Sequence, residues 1–204
     1  MRRRLDPEDR RREILQAATR AFATRPYDDV HVEAVAAEVG ASRALVNHYF
    51  RDKQGLYLAV ARQMVERTPE IVRRDLGGSA EEMVAANTAA WLDTVEASPQ
   101  AFLSFRAGGP AGGDSRLDEF RDQLRDRLAR RMLANHLGEA EPPAAALAVM
   151  RAELGLIEQA VADWIAGRGG DRAQTEALIA ASILATVREV LPAVLEVPAD
   201  GSAG

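Results

Sequence analysis

One short stretch of the chain carries residue types that contact nucleic-acid bases and phosphates. Arg43, Ala44, Asn47 and His48 fall on one side of a short predicted helix, and Ser42 stands before them as its N-cap. A cation, an amide and small side chains are what a helix in the DNA major groove presents to base edges and phosphates. The spacing therefore predicts contact with double-stranded DNA.

Two short amphipathic helices are expected to position these side chains. Apolar residues recur at offsets of three and four over residues 32–39, and the pattern restarts after Gly40. Gly40 tolerates the positive φ of a sharp turn, and Ala36 is small enough for the two helices to cross closely. The same pattern also fits an ordinary helical hairpin in which Arg43 and His48 are solvated.

Residues 11–60 resemble the tetracycline-repressor (TetR) family of one-component regulators. The resemblance rests on AATRAFA at the end of the first helix, YDDV in the connection that follows, the helix-turn-helix itself, and HYFRDKQGLYLAV from His48. It implies that Tyr49 and Phe50 close the core of a three-helix head. It also implies that Lys53 begins the fourth helix and touches a backbone phosphate.

The residues and the resemblance together predict a set that contacts DNA. Its members are Ser42, Arg43, Ala44, Asn47, His48, Tyr49 and Lys53. Those expected to face bases are Arg43, Ala44 and Asn47, and those expected to hold phosphate are Ser42, His48 and Lys53.

Three positions depart from the family's pattern. Leu45 and Asn47 stand where the family more often has threonine and tyrosine, although the Asn47 amide is suited to bidentate contact with adenine. His31 stands where a hydroxyl residue usually caps the second helix and meets phosphate. We therefore expect that cap to pass to Asp28 or Asp29.

Composition places the chain among intracellular proteins. Hydrophobic residues make up 47% of its 204 residues, and the absence of cysteine excludes disulfides and thiolate metal sites and is compatible with a reducing cytoplasm. The arginine-rich start lacks the apolar region of a signal peptide, and we expect no membrane span. The predicted location is cytoplasmic.

Charge is distributed unevenly along the chain. The net charge is -5, yet residues 1–60 hold 11 basic and 9 acidic residues, which leaves the rest of the chain strongly acidic. Six arginines lie near the N-terminus: Arg2, Arg3, Arg4, Arg10, Arg11 and Arg12. They form either an arm that reaches DNA or a solubilising segment beside the first helix.

The chain is predicted to be all-α, with about nine helices in two domains. Residues 1–52 form the helix-turn-helix head, and residues 53–204 form a helical effector-binding and dimerisation body. Ser79 and Glu82 have the spacing of a capping box, and GGPAGGD at 108–114 is predicted to be a loop. Later helices are predicted over 115–137, from 143 to about 166, and from 171 to about 194.

The last two predicted helices are apolar on more than one face, and their small residues permit close helix packing. Two such helices from each of two subunits form a four-helix interface, so we predict a homodimer, as the resemblance also implies. The alternative is a pair of fully interior helices. The predicted interface residues are Leu154, Ile157, Val161, Leu178, Ala181, Ser182 and Ala185.

An apolar pocket for a small-molecule effector is implied by the resemblance, among the fourth to eighth helices. The candidate lining residues are Met83, Asn87, Trp91, Phe102, Phe105, Arg106, Met132 and Trp164, and each also suits an ordinary core position. The chain has isolated histidines and lacks HxxxH, GxSxG and phosphate-binding glycine motifs. We therefore predict no catalytic site, metal or cofactor.

These features favour a transcriptional regulator that binds a pseudopalindromic operator as a homodimer, most simply a repressor that a small effector releases. One alternative is a DNA-binding dimer without an effector. Another is a helical small-molecule binding protein or an enzyme whose helix-turn-helix is structural.

Overall fold

A computed structural model of the protein describes residues 6–67, 78–107, 115–137 and 141–197. The described residues form α-helices and no β-strand, which confirms the predicted all-α class. The helices are α1 (Pro7–Thr24), α2 (Val32–Glu38), α3 (Arg43–Phe50), α4 (Lys53–Arg67), α5 (Ala80–Ala97), α6 (Pro99–Arg106), α7 (Ser115–Leu137), α8 (Ala144–Ile165), α9 (Arg172–Ala185) and α10 (Leu191–Leu195), with a π-helical turn at Thr186–Val190. Because α9, the π-helical turn and α10 run on as one helix, the described residues form nine helices.

Several predicted helix limits are confirmed. Helix α7 has the predicted bounds, and Ser79 and Glu82 form the predicted capping box, with the Glu82 amide donating to Ser79 Oγ at 3.2 Å and the Ser79 amide donating to Glu82 Oε2 at 2.8 Å. The predicted loop at 108–114 and the far end of the fourth helix lie outside the described residues, as does the tail from residue 198.

The described residues divide into two compact units. One holds those up to residue 67 and those from 94 to 119, and the other holds those from 78 to 93 and from 120 onward. The functional boundary between residues 52 and 53 stays a prediction.

Helix α1 is the centre of the first unit, where it packs against α2, α4 and α6. Its predicted apolar stripe is buried, with Ile14 and Phe22 almost fully enclosed. The Phe22 ring lies 4.9 Å from the Tyr57 ring and 5.8 Å from the Tyr27 ring, and the two tyrosine rings meet at 5.2 Å. This aromatic cluster joins α1, the connection after it, and α4, and it contributes apolar burial together with favourable edge-on ring contacts.

The junction between α3 and α4 is unusually tight. Arg51 has φ of 71°, and the Asp52 amide donates to the Phe50 carbonyl oxygen at 2.9 Å, so the chain reverses in a γ-turn. Asp52 also caps α4 by accepting from the Gly55 amide at 2.6 Å. A Cβ atom at Gly55 would stand 2.0 Å from the Phe50 carbonyl oxygen, so this position requires glycine.

The second unit has an apolar core built from the helices after residue 120 together with the first part of α5. Its most enclosed side chains are Leu92, Leu133, Met150, Val161, Ile179 and Leu191. Asp171 and Gln174 cap α9 reciprocally, at 2.8 Å and 3.0 Å. The capping fixes the start of the helix predicted from residue 171.

A carboxylate is buried in this second core. The Glu153 side chain is only 5% exposed and accepts hydrogen bonds from Ser182 Oγ at 2.6 Å and from Thr186 Oγ1 at 2.8 Å. Because a buried carboxylate is costly without partners, these hydroxyls are needed for α8 to pack against α9 and the π-helical turn.

One described helix, Arg172–Leu195, is long and apolar enough to cross a membrane by length and composition, a property that core helices of soluble proteins share. Its charged ends are tied within the same unit, because Arg172 pairs with Asp93 and Arg188 pairs with Glu81. The Arg188 partner lowers the pKa of Glu81 to about 2. The two ion pairs hold this helix against α5.

The tight α3–α4 junction leads to a prediction about stability. Gly55→Ala should lower the free energy of unfolding by about 2 to 3 kcal/mol, because the new methyl group overlaps the Phe50 carbonyl. Gly40→Ala, which places an alanine at φ of 62°, should lower the free energy of unfolding by about 1 to 2 kcal/mol. Urea unfolding of the full chain measures both. An unchanged or higher stability for Gly55→Ala would contradict the described junction, since a helical Gly→Ala change ordinarily gains about 1 kcal/mol.

Candidate nucleic-acid interface

The turn between α2 and α3 sets the angle at which α3 leaves the first unit. The Ala41 amide donates to the Ala36 carbonyl at 2.8 Å and the Gly40 amide donates to the Ala37 carbonyl at 3.0 Å, which is the Schellman pattern of a helix ending on glycine. Gly40 has φ of 62°, as predicted. With Val46 fully buried, α3 presents its opposite side to solvent.

Ser42 is the N-cap of α3, as predicted. Its hydroxyl oxygen accepts from the Leu45 amide at 3.1 Å. On the outer side, Arg43, Ala44 and His48 are exposed and Asn47 is half-buried. The sequence-predicted polar face of α3 is therefore a real surface of the folded chain.

Three of the predicted residues, Arg43, Asn47 and Lys53, line one open groove of about 200 Å³, which we call the α2–α3 groove. Its lining residues are Val30, His31, Val32, Glu33, Arg43, Asn47, Asp52 and Lys53. Tyr49 lies to one side, where its ring meets the His48 ring edge-on at 5.4 Å. The groove is thus lined by cations from two helices, Arg43 of α3 and Lys53 of α4.

Arg43 has an acidic neighbour that the sequence reasoning did not identify. Its Nη1 lies 2.7 Å from Glu33 Oε1, and the two side chains are 65% and 57% exposed. The pair joins α2 to α3 across the turn. Periodicity alone does not reveal it, because the contact depends on the crossing angle of the two helices.

Lys53 is held in place by its own neighbours. Its ammonium donates to the Asp28 carbonyl at 3.2 Å and lies 4.4 Å from the centre of the Tyr27 ring. Partial burial lowers the pKa of Lys53, while the charges of Asp28 and Asp29 act in the opposite direction. These contacts hold the Lys53 ammonium beside the groove.

The start of α2 differs from the prediction. His31 is the N-cap residue and makes no side-chain cap hydrogen bond, so the expected capping by Asp28 or Asp29 is wrong. The carbonyl of Asp28 is instead used by Lys53. His31 is exposed at the edge of the groove.

The described arginines of the N-terminal cluster support the fold. Arg10 donates to the Val39 carbonyl at 2.9 Å, Arg11 lies 5.2 Å from the centre of the Phe50 ring, and Arg12 pairs with Asp9 at 2.9 Å. Arg10 thus holds the carboxyl end of α2, where a cation is favoured by the helix dipole. The other three arginines, residues 2–4, lie outside the described residues.

The predicted effector residues do not line the α2–α3 groove. Met132 is buried and the other seven are half-buried. A second open groove of about 760 Å³ lies on α7 and α8, where charged side chains such as Arg125, Asp126 and Arg151 line it. None of the eight predicted residues lines that groove either, so the effector pocket stays a prediction.

The predicted dimer residues fall into two groups. Leu154, Ile157 and Val161 are buried within one protomer. By contrast, Leu178, Ala181 and Ala185 are exposed, and Ser182 is half-buried beside Glu153.

Among the described residues, no group of three or more histidine, aspartate or glutamate side chains is placed to hold a metal ion.

Comparison with known proteins gives matches over the head and over the whole fold. Residues 14–60 match the family model of bacterial regulatory proteins of the tetR family. The chain is 40% identical over 87 residues to the HTH-type transcriptional repressor Rv1474c of Mycobacterium tuberculosis, a match that covers 42% of this chain and 46% of the relative. It is 43% identical over 63 residues to the HTH-type transcriptional repressor AcnR of Corynebacterium diphtheriae, covering 31% and 33%. The matches thus span less than half the length of these relatives.

A solved structure extends the similarity to the body. The tetR-family transcriptional regulator from Streptomyces coelicolor superposes with a TM-score of 0.76 at 27% identity, over 97% of this chain and 93% of that one. A regulator from Rhodococcus sp. superposes with a TM-score of 0.67 at 20% identity, over 88% and 99%, and shows the fold alone.

The roles of the two neighbouring arginines of α1 can be separated by stability measurements. Arg10→Ala should lower the free energy of unfolding by about 1 to 3 kcal/mol, because the Val39 carbonyl loses a charged donor. Arg12→Ala removes the same charge from an exposed ion pair and should change the free energy of unfolding by about 0.5 kcal/mol or less. Equal stabilities in urea unfolding would mean that Arg10 does not support the turn.

Proposed function

The chain belongs to the TetR family of bacterial regulatory proteins, and from this premise we propose that it is a sequence-specific DNA-binding transcriptional regulator. We propose further that it is a cytoplasmic homodimeric repressor, released from a pseudopalindromic operator by a small-molecule effector. One observation carries the proposal. Helix α3 is capped by Ser42 and buries Val46 on its inner side, while Arg43, Ala44 and His48 are exposed on its outer side.

The chemistry of that side supports base contact. The Arg43 guanidinium is suited to the two acceptors of guanine, and the Asn47 amide is suited to adenine. Ala44 lets the helix approach a thymine methyl group or the groove floor closely. The Lys53 ammonium, at the start of α4 and on the wall of the groove, supports a contact with the phosphate backbone.

A second copy of the chain is the proposed partner for the exposed sides of α8 and α9. Leu156 is 42% exposed on α8, and Leu178 is 51% exposed on α9 beside exposed Ala181 and Ala185. Solvent alone does not account for such an apolar surface. A pseudopalindromic operator also requires a two-fold dimer, because its two half-sites lie about 34 Å apart on successive major grooves.

Gly155 gives independent support for close packing on this surface. It lies within α8, and a Cβ atom built there meets nothing within 4 Å. Glycine within a helix costs about 0.5 to 1 kcal/mol relative to alanine, and nothing inside the protomer requires it here. The approach of a partner helix backbone explains its presence.

The effector part of the proposal is supported by the family and by the half-buried aromatic side chains of the second unit. Trp91 on α5 and Trp164 on α8 are both only partly enclosed. An apolar or acidic metabolite of moderate size would suit such side chains. A shift in the melting temperature that accompanies loss of operator binding would identify an effector.

The dimer proposal predicts the outcome of one charge insertion. Ala181→Glu should convert the protein to a monomer and weaken operator binding by at least tenfold, because a carboxylate in an apolar interface is left without a partner. Ala85→Glu places the same charge at an exposed alanine of α5 and should leave the dimer intact. Light scattering after size exclusion gives the mass of each. A monomeric wild type, or a dimeric Ala181→Glu variant, would contradict the proposed interface.

DNA binding is tested by selecting bound sequences from random duplexes at moderate salt. The wild type should enrich a pseudopalindrome with half-sites about one helical turn apart. Arg43→Ala should weaken the free energy of operator binding by roughly 1 to 3 kcal/mol and relax the sequence preference at one base pair per half-site. A uniform loss over all sequences would show that Arg43 contacts only the backbone.

Lys53→Ala should weaken binding to all duplexes alike and reduce the salt slope by about one, because one phosphate contact is lost. Arg12→Ala, an exposed cation of α1, is the matched control and should leave the slope unchanged. An unchanged slope for Lys53→Ala would remove Lys53 from the phosphate contacts.

A further inference from the structure

Of the four charged side chains of the α2–α3 groove, Lys53 and Asp52 have partners outside it. Lys53 donates to the Asp28 carbonyl and lies over the Tyr27 ring. Asp52 accepts from the Gly55 amide at the start of α4 and from Arg116 at 3.3 Å. Glu33 is different, because its ion-pair partner is Arg43. Arg43 is the cation on the outer side of α3, which we call the recognition face.

The Glu33–Arg43 pair leaves most of the guanidinium available. One nitrogen, Nη1, lies 2.7 Å from Glu33, whereas an arginine side chain has five N–H donors in all. Both side chains are more than half exposed, so the remaining donors can reach a ligand from solvent. Arg43 can therefore contact a base edge without leaving Glu33.

A base edge and a phosphate respond differently to this arrangement. The O6 and N7 atoms of guanine are acceptors with only partial negative charge, so a nearby carboxylate repels them less than it repels a phosphate. A phosphate that approaches Arg43 carries a full negative charge and is repelled by Glu33. The pair therefore favours base contact over backbone contact at the same guanidinium.

We propose that Glu33 is a specificity-determining residue that holds Arg43 for base contact and weakens sequence-independent binding to phosphate. The inference rests on the proposed function and assigns a role in it to a residue of α2 that lies outside the recognition helix. Specificity is a difference between affinities, and repulsion of the wrong complex increases that difference. Sequence-independent binding depends almost wholly on phosphate contacts, so it is the complex that Glu33 disfavours most.

The test compares Glu33→Gln with the wild type on the selected operator duplex and on a scrambled duplex of equal length, over a series of salt concentrations. Glu33→Gln should bind the scrambled duplex roughly five- to tenfold more tightly near 0.1 M salt, with a salt slope steeper by about one. Operator affinity should change by less than about twofold, and the preference at the base pair contacted by Arg43 should relax.

Glu38→Gln is the matched control. Glu38 is an exposed glutamate of the same helix that pairs with Arg20 of α1 at 2.6 Å, away from the recognition face. The Glu38→Gln substitution removes the same charge and should leave unchanged the ratio of the affinity for the operator duplex to the affinity for the scrambled duplex. Equal effects of Glu33→Gln and Glu38→Gln on that ratio would overturn the proposal, because Glu33 would then contribute only net charge.

A double variant tests whether Glu33 acts through Arg43. In an Arg43→Ala background, Glu33→Gln should no longer change the affinity ratio, and a persisting change would overturn the proposal. A wild type that binds all duplexes equally would overturn the proposed function together with this inference. A wild type that discriminates while Glu33→Gln discriminates equally well would overturn this inference alone.

Discussion

The close approach of the Phe50 carbonyl to Gly55 is the constraint on which the proposed DNA-binding surface depends. It brings the end of α3 against the first turn of α4, so that Lys53 stands beside the same groove as Arg43. The γ-turn at Arg51 is a conformation that non-glycine residues rarely adopt, and the surrounding structure must hold it. A rotation of α4 would therefore move α3 with it, because there is no side chain between them to absorb the motion.

Arginine has two distinct uses in the first unit. Arg10 and Arg11 face inward, toward the Val39 carbonyl and the Phe50 ring, and thereby hold α1 against the carboxyl ends of α2 and α3. Arg43 faces outward from the helix that they brace. The density of positive charge along the sequence is consequently a poor measure of the positive charge exposed on the outer side of α3.

The sequence was sufficient to predict the all-α class, the caps at Ser42 and Ser79 and the outer side of α3, because these depend on local periodicity and on single residues. It did not predict the Glu33–Arg43 pair or the use of the Asp28 carbonyl by Lys53. Both contacts depend on how helices cross, which no local pattern records. The prediction that Asp28 or Asp29 caps α2 was wrong for a related reason. A short acidic run suggested a cap, but the N-cap residue is His31, whose side chain makes no cap hydrogen bond. The acidic run instead provides the Asp28 carbonyl that Lys53 binds.

The π-helical turn at Thr186–Val190 has a consequence for any reading of the last helix from its sequence. A wider turn inserts the equivalent of one extra residue, and one residue corresponds to about 100° of rotation around the axis. Residues after Val190 therefore lie on a different side from the one that an uninterrupted helical wheel assigns. Relatives without the inserted residue would be expected to present different side chains at equivalent aligned positions. An alignment gap of one residue in this segment would then mark a change of surface rather than a simple loss of length.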